Sequence, residues 1–85
     1  MNWTPSRHVR PYLARPVEVE VDGRSRPRQV AGNPVASIRE EWLVEEAWWS
    51  KASVRRHYFE VVLENGGNLT LFRSLSDGEW FAQRA

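Results

Sequence analysis

The length of 85 residues, with 41% hydrophobic and 27% charged residues, is that of one globular domain. The absence of cysteine excludes disulfides, thiolate metal sites and cysteine nucleophiles. We find no apolar run long enough for a signal peptide or a membrane-spanning helix, so we expect a cytoplasmic protein that does not enter a membrane.

Charge is distributed unevenly along the chain. Residues 1–34 contain six arginines and three acids, whereas residues 35–50 contain one arginine and four glutamates. Eleven of the twelve basic residues are arginine. The arginine side chain binds phosphates or carboxylates through two hydrogen bonds and stacks on aromatic rings. The small net charge of +1 favours a protein partner over a nucleic acid.

The N-terminal segment, residues 1–14, is predicted to be a flexible basic tail. It contains Arg7, Arg10 and two prolines, and its few apolar residues fit neither a period of 2 nor one of 3.6. They are too few to offset an ordering cost of about 1–2 kcal/mol per residue. The folded β domain is therefore predicted to span residues 15–85.

The first half of this domain predicts two or three strands. Residues 16–22 alternate strictly, with three valines on one face and glutamates on the other, and Asp22-Gly23 is a turn signal. Residues 35–49 are ambiguous, because their glutamates suit a helix while alternation also fits. We predict a strand over residues 36–44, since every other segment is β, and a loop over residues 45–53. In that strand the residues sharing a face are Ala36, Ile38, Trp42 and Val44.

The second half gives clearer signals. Residues 54–64 are rich in aromatic and β-branched side chains, and Asn65-Gly66-Gly67 predicts a hairpin turn. With residues 65–67 as the loop, the predicted pairs on the apolar face are Leu63 with Leu69 and Val61 with Leu71.

A second turn, at residues 76–79, precedes a final strand over residues 80–84. The fold is therefore predicted to be all-β. We expect an antiparallel meander of about five to six short strands, curled into a sheet or a small open barrel that protects its edges.

The sequence contains no pattern that predicts an enzyme. His57 has no partner at a catalytic spacing and shares a strand face with Phe59, so we expect it at the edge of the core. The adjacent pairs Glu40-Glu41 and Glu45-Glu46 each point to opposite faces of a strand, which does not suit acid–base chemistry. We predict no catalytic residue, metal site, cofactor or small-molecule substrate.

Aromatic and basic residues occur together, as they do at interaction sites. Most aromatic rings of so small a domain belong to its core, but the neighbours Trp48 and Trp49 cannot both face inward on an extended chain. The predicted partner-binding surface consists of Trp48, Trp49, Arg55, Arg56, Tyr58 and Arg73. The alternative is a site for single-stranded nucleic acid, formed by Arg7, Arg10, Arg15, Arg55 and Arg56.

Several segments together carry a family resemblance: Arg15-Pro-Val-Glu-Val19, Glu40-Glu-Trp-Leu-Val44 with Trp48-Trp49, Arg55-Arg-His-Tyr58, Leu71-Phe-Arg73 and Gly78-Glu-Trp-Phe81. In these the chain resembles an uncharacterised family of small bacterial β domains. Similar domains also look to form the C-terminal extension of Y-family-polymerase-like proteins that support damage-induced mutagenesis. The resemblance implies an accessory role in DNA damage tolerance or repair and no catalytic residues. We therefore predict a non-enzymatic module that docks on a protein partner, with single-strand binding as the alternative.

Overall fold

The computed structural model describes residues 14–46 and 54–84. These residues form seven strands and no helix, so this part of the chain offers no helix that could cross a membrane. The strands are β1 (Arg15–Pro16), β2 (Val19–Val21), β3 (Pro27–Val30), β4 (Asn33–Glu46), β5 (Val54–Leu63), β6 (Asn68–Ser74) and β7 (Trp80–Arg84). They pair antiparallel in the order β1-β7-β6-β5-β4-β3-β2 and form one curled, half-barrel sheet. The prediction of an all-β antiparallel fold is confirmed.

The segment that contains β1 and β2 joins the two edges of the sheet. β1 pairs with β7 at one edge, and β2 pairs with β3 at the other. Between them, the Val17 N–H donates to the Trp80 carbonyl (3.1 Å), and the Glu18 carbonyl accepts from the Ala31 N–H (2.8 Å). The strand predicted over residues 16–22 is thus divided between both edges, which accounts for the seven strands where five or six were expected.

The inner face of the curl holds the main hydrophobic core. Side chains alternate along β5 and β6, so every second side chain points towards this face. The buried cluster consists of Val30, Phe59, Val61, Leu63 and Leu71, each at most 9% exposed. The partly buried residues around it are Val17, Val19, Val35, Ile38, Leu69, Trp80 and Ala82. Full burial of one side chain of the buried cluster contributes roughly 1.5–3 kcal/mol to stability.

β4 is longer than predicted and is not helical. It starts at Asn33 because Ala31 and Gly32, with φ of 50° and 82°, form the tight turn that follows β3. It continues to Glu46, opposite Val54, so the connection to β5 is residues 47–53 and not 45–53.

The pairing of β4 with β5 is irregular near its start, between Val35 and Ser37 and between Ile38 and Glu40. The second irregularity adds one residue to β4 relative to β5, so the residues after it point to the face opposite the one that simple alternation gives. Ile38 packs on the core, whereas Trp42 lies on the outer face, so the prediction that they share a face is wrong.

The β5–β6 hairpin turns over residues 64–66. The Leu63 N–H donates to the Gly67 carbonyl (2.8 Å), and the pairs are Val61 with Leu69 and Phe59 with Leu71. The predicted loop of residues 65–67 and its pairs were therefore wrong. A three-residue loop commonly ends in a left-handed residue, and Gly66 with φ of 91° takes that position. The observed register differs from the predicted register by two positions. Because side chains alternate with a period of two, the same side chains stay on the inner face.

Replacing Gly66 by alanine tests this loop. No other atom lies within 4 Å of the position that a Cβ would take, so the penalty is conformational, about 1–2 kcal/mol for the left-handed backbone. Urea unfolding of Gly66→Ala should show this loss of free energy of unfolding. Gly23→Ala is the matched control, since its Cβ position is equally open and its φ is not left-handed. Equal effects of the two substitutions would contradict the loop assignment.

Candidate interaction surface

On the outer face, aromatic rings form a row across four strands. The row consists of Trp42 on β4, Tyr58 on β5, Phe72 on β6 and Phe81 on β7, which are directly paired across the strands. Successive ring centroids lie 5.3, 5.1 and 5.0 Å apart. The Arg56 guanidinium lies 4.9 Å from the centre of the Phe72 ring, a cation–π geometry.

The middle of this aromatic row belongs to the core. Tyr58 and Phe72 are only 2% and 3% exposed. Tyr58 is stacked on Trp42 at an interplanar angle of 8° and is tilted against Phe72 on its other side. Although Tyr58 was predicted to bind a partner, it has almost no surface to offer one. Base stacking needs an exposed ring face, and Tyr58 presents none.

The inner face becomes exposed beyond the core, towards the end of β4 and the start of β5. We call the side chains there the rim patch: Leu43, Arg55, His57, Arg73 and Leu75. Leu43 lies directly opposite His57, which in turn lies opposite Arg73. Leu75 lies beside Arg55, because its N–H donates to the Arg55 carbonyl (3.0 Å). Leu43 and Leu75 are 53% and 37% exposed, two of the three exposed large hydrophobic residues in the described chain.

A cluster around Glu41 borders the rim patch. Its Oε1 accepts a hydrogen bond from Arg26, and its Oε2 lies 2.9 Å from His57 Nε2. The hydrogen bond from Arg26 holds the pKa of the Glu41 carboxyl below its ordinary value; burial opposes this, and the hydrogen bond with His57 lowers the pKa to a smaller degree than either. His57 also stacks on Phe59, with centroids 4.3 Å apart. It therefore lies at the edge of the core, as predicted.

The two arginines of the rim patch differ in their surroundings. Arg55 has a side chain that is 57% exposed, and its Nε donates to Glu45 Oε2 at 2.9 Å. Arg73 lies beneath the turn before β7, with its Nη2 3.7 Å from the position of a Cβ on Gly78. Its Nε is buried and has no hydrogen-bond partner in the structure. Arg55 is thus the accessible arginine, whereas Arg73 lies against the turn and is partly buried.

The other predicted site residues are not brought together. Arg56 is next to Arg55 but faces outward, over the aromatic row. Arg15 is exposed on β1, which β6 and β7 separate from β5. Arg7, Arg10, Trp48 and Trp49 lie outside the described residues.

The described residues on either side of residues 47–53 are Glu46 and Val54, and these two are directly paired. The next pair along the strands is Glu45 with Arg55, at the border of the rim patch. Glu46 and Val54 therefore lie next to the rim patch.

Sequence reasoning missed Leu43 and Leu75. Alternation places Leu43 on the face opposite Trp42, which was a usable signal. Its exposure depends on which neighbours cover that face, and composition does not reveal this. Leu75 follows the last residue of β6 and carried no signal at all.

Comparison of the chain with models of protein families, with curated proteins and with solved structures gives no match in any of the three. The resemblance to the bacterial β domains thus stays a prediction. In the described part of the chain, no three His, Asp or Glu side chains come together as a metal site would require. An open depression of about 680 Å³ lies along residues 16–20 and 78–80 and includes no residue of the rim patch.

The lowered pKa of Glu41 predicts a pH-dependent contribution to stability. Because its pKa is lower in the folded state, the charged Glu41 stabilises the fold above its unfolded pKa, near 4.5, and this contribution is lost as the pH falls through the folded value. Glu41→Gln should therefore lower the free energy of unfolding at pH 6 and have less effect at pH 3.5. The effect is expected to be small, since both partners are partly exposed.

Urea unfolding at both pH values measures this difference. The control is Arg26→Gln, which removes the main donor and should reduce the pH-dependent difference that Glu41→Gln causes. An equal effect of Glu41→Gln at both pH values would show that the carboxylate is not stabilised in the folded state.

Proposed function

We propose that this chain is a non-enzymatic interaction module that docks on a protein partner through the rim patch. The observation that carries the proposal is the exposure of two leucines next to the pair of Arg55 and Glu45: Leu43 precedes Glu45 on the same face of β4, and Leu75 lies beside Arg55. Exposed apolar groups surrounded by polar side chains mark interaction sites, and burying them releases about 25 cal/mol per Å². Arginine is among the residues enriched at protein interfaces.

The surroundings of Arg55 favour a protein partner over a nucleic acid. Arg55 is already paired with Glu45, and His57, two residues further along β5, is paired with Glu41. Phosphate binding depends on basic groups that are not neutralised by the protein itself. The arginines proposed for a nucleic-acid site also lie on different faces and strands, as Arg55, Arg56 and Arg15 show.

Trp48 and Trp49 are proposed to extend the same surface, because Glu46 and Val54, between which they lie in the sequence, are next to the rim patch. An exposed tryptophan is a frequent binding hot spot. The setting in DNA damage tolerance or repair, and a cytoplasmic location, are proposed from the resemblance and from the composition respectively.

Substitution of the two leucines tests the docking function. The double variant Leu43→Ser/Leu75→Ser removes side chains that are 53% and 37% exposed, so its free energy of unfolding should fall by roughly 1–2 kcal/mol per site, from the part of each side chain that is buried. It should weaken binding to a captured partner by about 30-fold, as the loss of a hot spot does. The full chain serves as bait in a nuclease-treated lysate of its source cells, and affinities are then measured with the purified partner.

Val21→Ser is the matched control, because Val21 is also exposed (42%) but lies on β2, outside the rim patch. Partner binding should survive in this control. If the double variant binds the same partner as tightly as the unmodified chain, the rim patch is not the interface. If the unmodified chain captures a partner only from lysate that has not been treated with nuclease, the nucleic-acid alternative replaces the proposal.

A further inference from the structure

Arg73 is the arginine of the rim patch that has no carboxylate partner among the described residues. The two carboxylates that border the patch are already paired, Glu45 with Arg55 and Glu41 with both Arg26 and His57. Of the three arginines in and beside the patch, two therefore face carboxylates, and Arg73 does not.

The segments of residues 1–13 and 47–53 cannot supply a carboxylate side chain to Arg73. They contain no aspartate and no glutamate. Asp77 lies near Arg73 in the sequence, but its Oδ1 accepts the Glu79 N–H (2.9 Å) within the turn before β7. In the described chain, neither Asp77 nor Glu79 forms an ion pair with Arg73. Neutralisation of Arg73 therefore depends on a carboxylate from another molecule.

The position of Arg73 makes this missing counter-charge costly. The side chain lies on the inner face, directly between His57 of β5 and Trp80 of β7, and is only partly exposed. Its Nε is buried without a hydrogen-bond partner in the described structure. A charge that is partly removed from water destabilises the fold unless it is paired. A carboxylate against the guanidinium would accept charge-assisted hydrogen bonds and offset this cost.

Apolar side chains surround Arg73 on the same surface. Leu75 follows it by two residues and is 37% exposed. Leu43, 53% exposed, lies in the same row of paired residues, two strands away or about 10 Å. The half-buried Trp80 is directly paired with Arg73 on the other side. A ligand that fits this surface thus combines one carboxylate with apolar groups around it.

We propose that Arg73 selects the partner of the rim patch by binding the side-chain carboxylate of an acidic residue that has apolar residues on both sides in the partner's sequence. The planar guanidinium matches a carboxylate through two parallel hydrogen bonds. The flanking apolar residues cover Leu43 and Leu75. The proposal rests on the docking function and specifies the chemistry of the partner segment.

Two synthetic peptides, acetylated and amidated at their ends, are the first probe. Their cores are Leu-Leu-Glu-Leu-Leu and Leu-Leu-Gln-Leu-Leu, so they differ in one carboxylate. The full, unmodified chain should bind the glutamate peptide about tenfold or more tightly than the glutamine peptide, because only glutamate gives Arg73 a charged acceptor. Equal affinities overturn the proposal.

NMR of the ¹⁵N-labelled full chain shows which arginine receives the carboxylate. The Nε–H signal of Arg73 should shift with the glutamate peptide and much less with the glutamine peptide. Arg55 is the internal control, because its Nε–H already donates to Glu45 and should shift little with either peptide. A shift that the glutamate peptide causes at Arg55 and not at Arg73 contradicts the proposal.

Matched variants test the same assignment through the affinities. Arg73→Gln should abolish the preference for the glutamate peptide, whereas Arg55→Gln should keep it, since Arg55 is already paired. A preference that survives in folded Arg73→Gln overturns the proposal. If Arg73→Gln does not fold, the Nε–H shifts of the unmodified chain decide alone.

Other anions test whether a side-chain carboxylate is the group that Arg73 takes. Inorganic phosphate should bind at least about tenfold more weakly than the glutamate peptide, because its second negative charge meets Glu41 and Glu45. Tighter binding of phosphate than of this peptide overturns the proposal in favour of a phosphate site. A glutamine peptide with a free C-terminal carboxylate that binds as tightly as the glutamate peptide also overturns it.

The outcome is distinguishable from that of the docking experiment. If the unmodified chain shows no preference between the peptides while Leu43→Ser/Leu75→Ser still weakens partner binding, selection by Arg73 is wrong and the docking function stands. If the double variant binds the partner as tightly as the unmodified chain, the docking function fails, and selection by Arg73 fails with it.

Discussion

The antiparallel pairing of β4 with β5 is the interaction on which the rest of the structure depends. Its register sets Glu41 against Phe59 and Leu43 against His57, so these side chains share the inner face. The same register leaves Trp42 and Tyr58 on the outer face, in the aromatic row. A slip of one residue would exchange the two faces of β4 and replace exposed Leu43 by a tryptophan. Core, aromatic row and rim patch therefore follow from one set of strand pairs.

A domain of this size has little surface to bury, and this chain gains by using both faces of its sheet. The inner face packs aliphatic side chains around Val61 and Leu71, neither of which has any exposed surface. The outer face adds the aromatic row, in which each ring pair contributes about 0.5–1.5 kcal/mol beyond the burial of its area. The crossing segment at Val17 and Glu18 holds the two edges of the curled sheet together. Among the described residues, the large hydrophobic side chains that stay exposed include Leu43 and Leu75 of the rim patch.

Much of the fold could be predicted, because turn residues and alternation report local geometry directly. Asp22 illustrates this, since its Oδ1 accepts the N–H groups of Arg24 and Arg26 and forms the turn that its sequence indicated. Alternation fails where the pairing is irregular: the irregularity between Ile38 and Glu40 reverses the faces, and no sequence signal marked it. The candidate site was harder still. Composition identified Tyr58 and Arg55 equally, but only the packing shows that Tyr58 is buried while Arg55 is accessible.

Docking through the rim patch requires that Leu43 lies on the inner face beside the core. Solution NMR of the full chain tests this most directly, through contacts between α-protons across the β4–β5 pair. We expect these contacts to connect directly opposed residues, such as Leu43 with His57 or Trp42 with Tyr58. Contacts that connect Leu43 with Tyr58 as directly opposed residues would contradict the register, because Leu43 would then belong to the outer face.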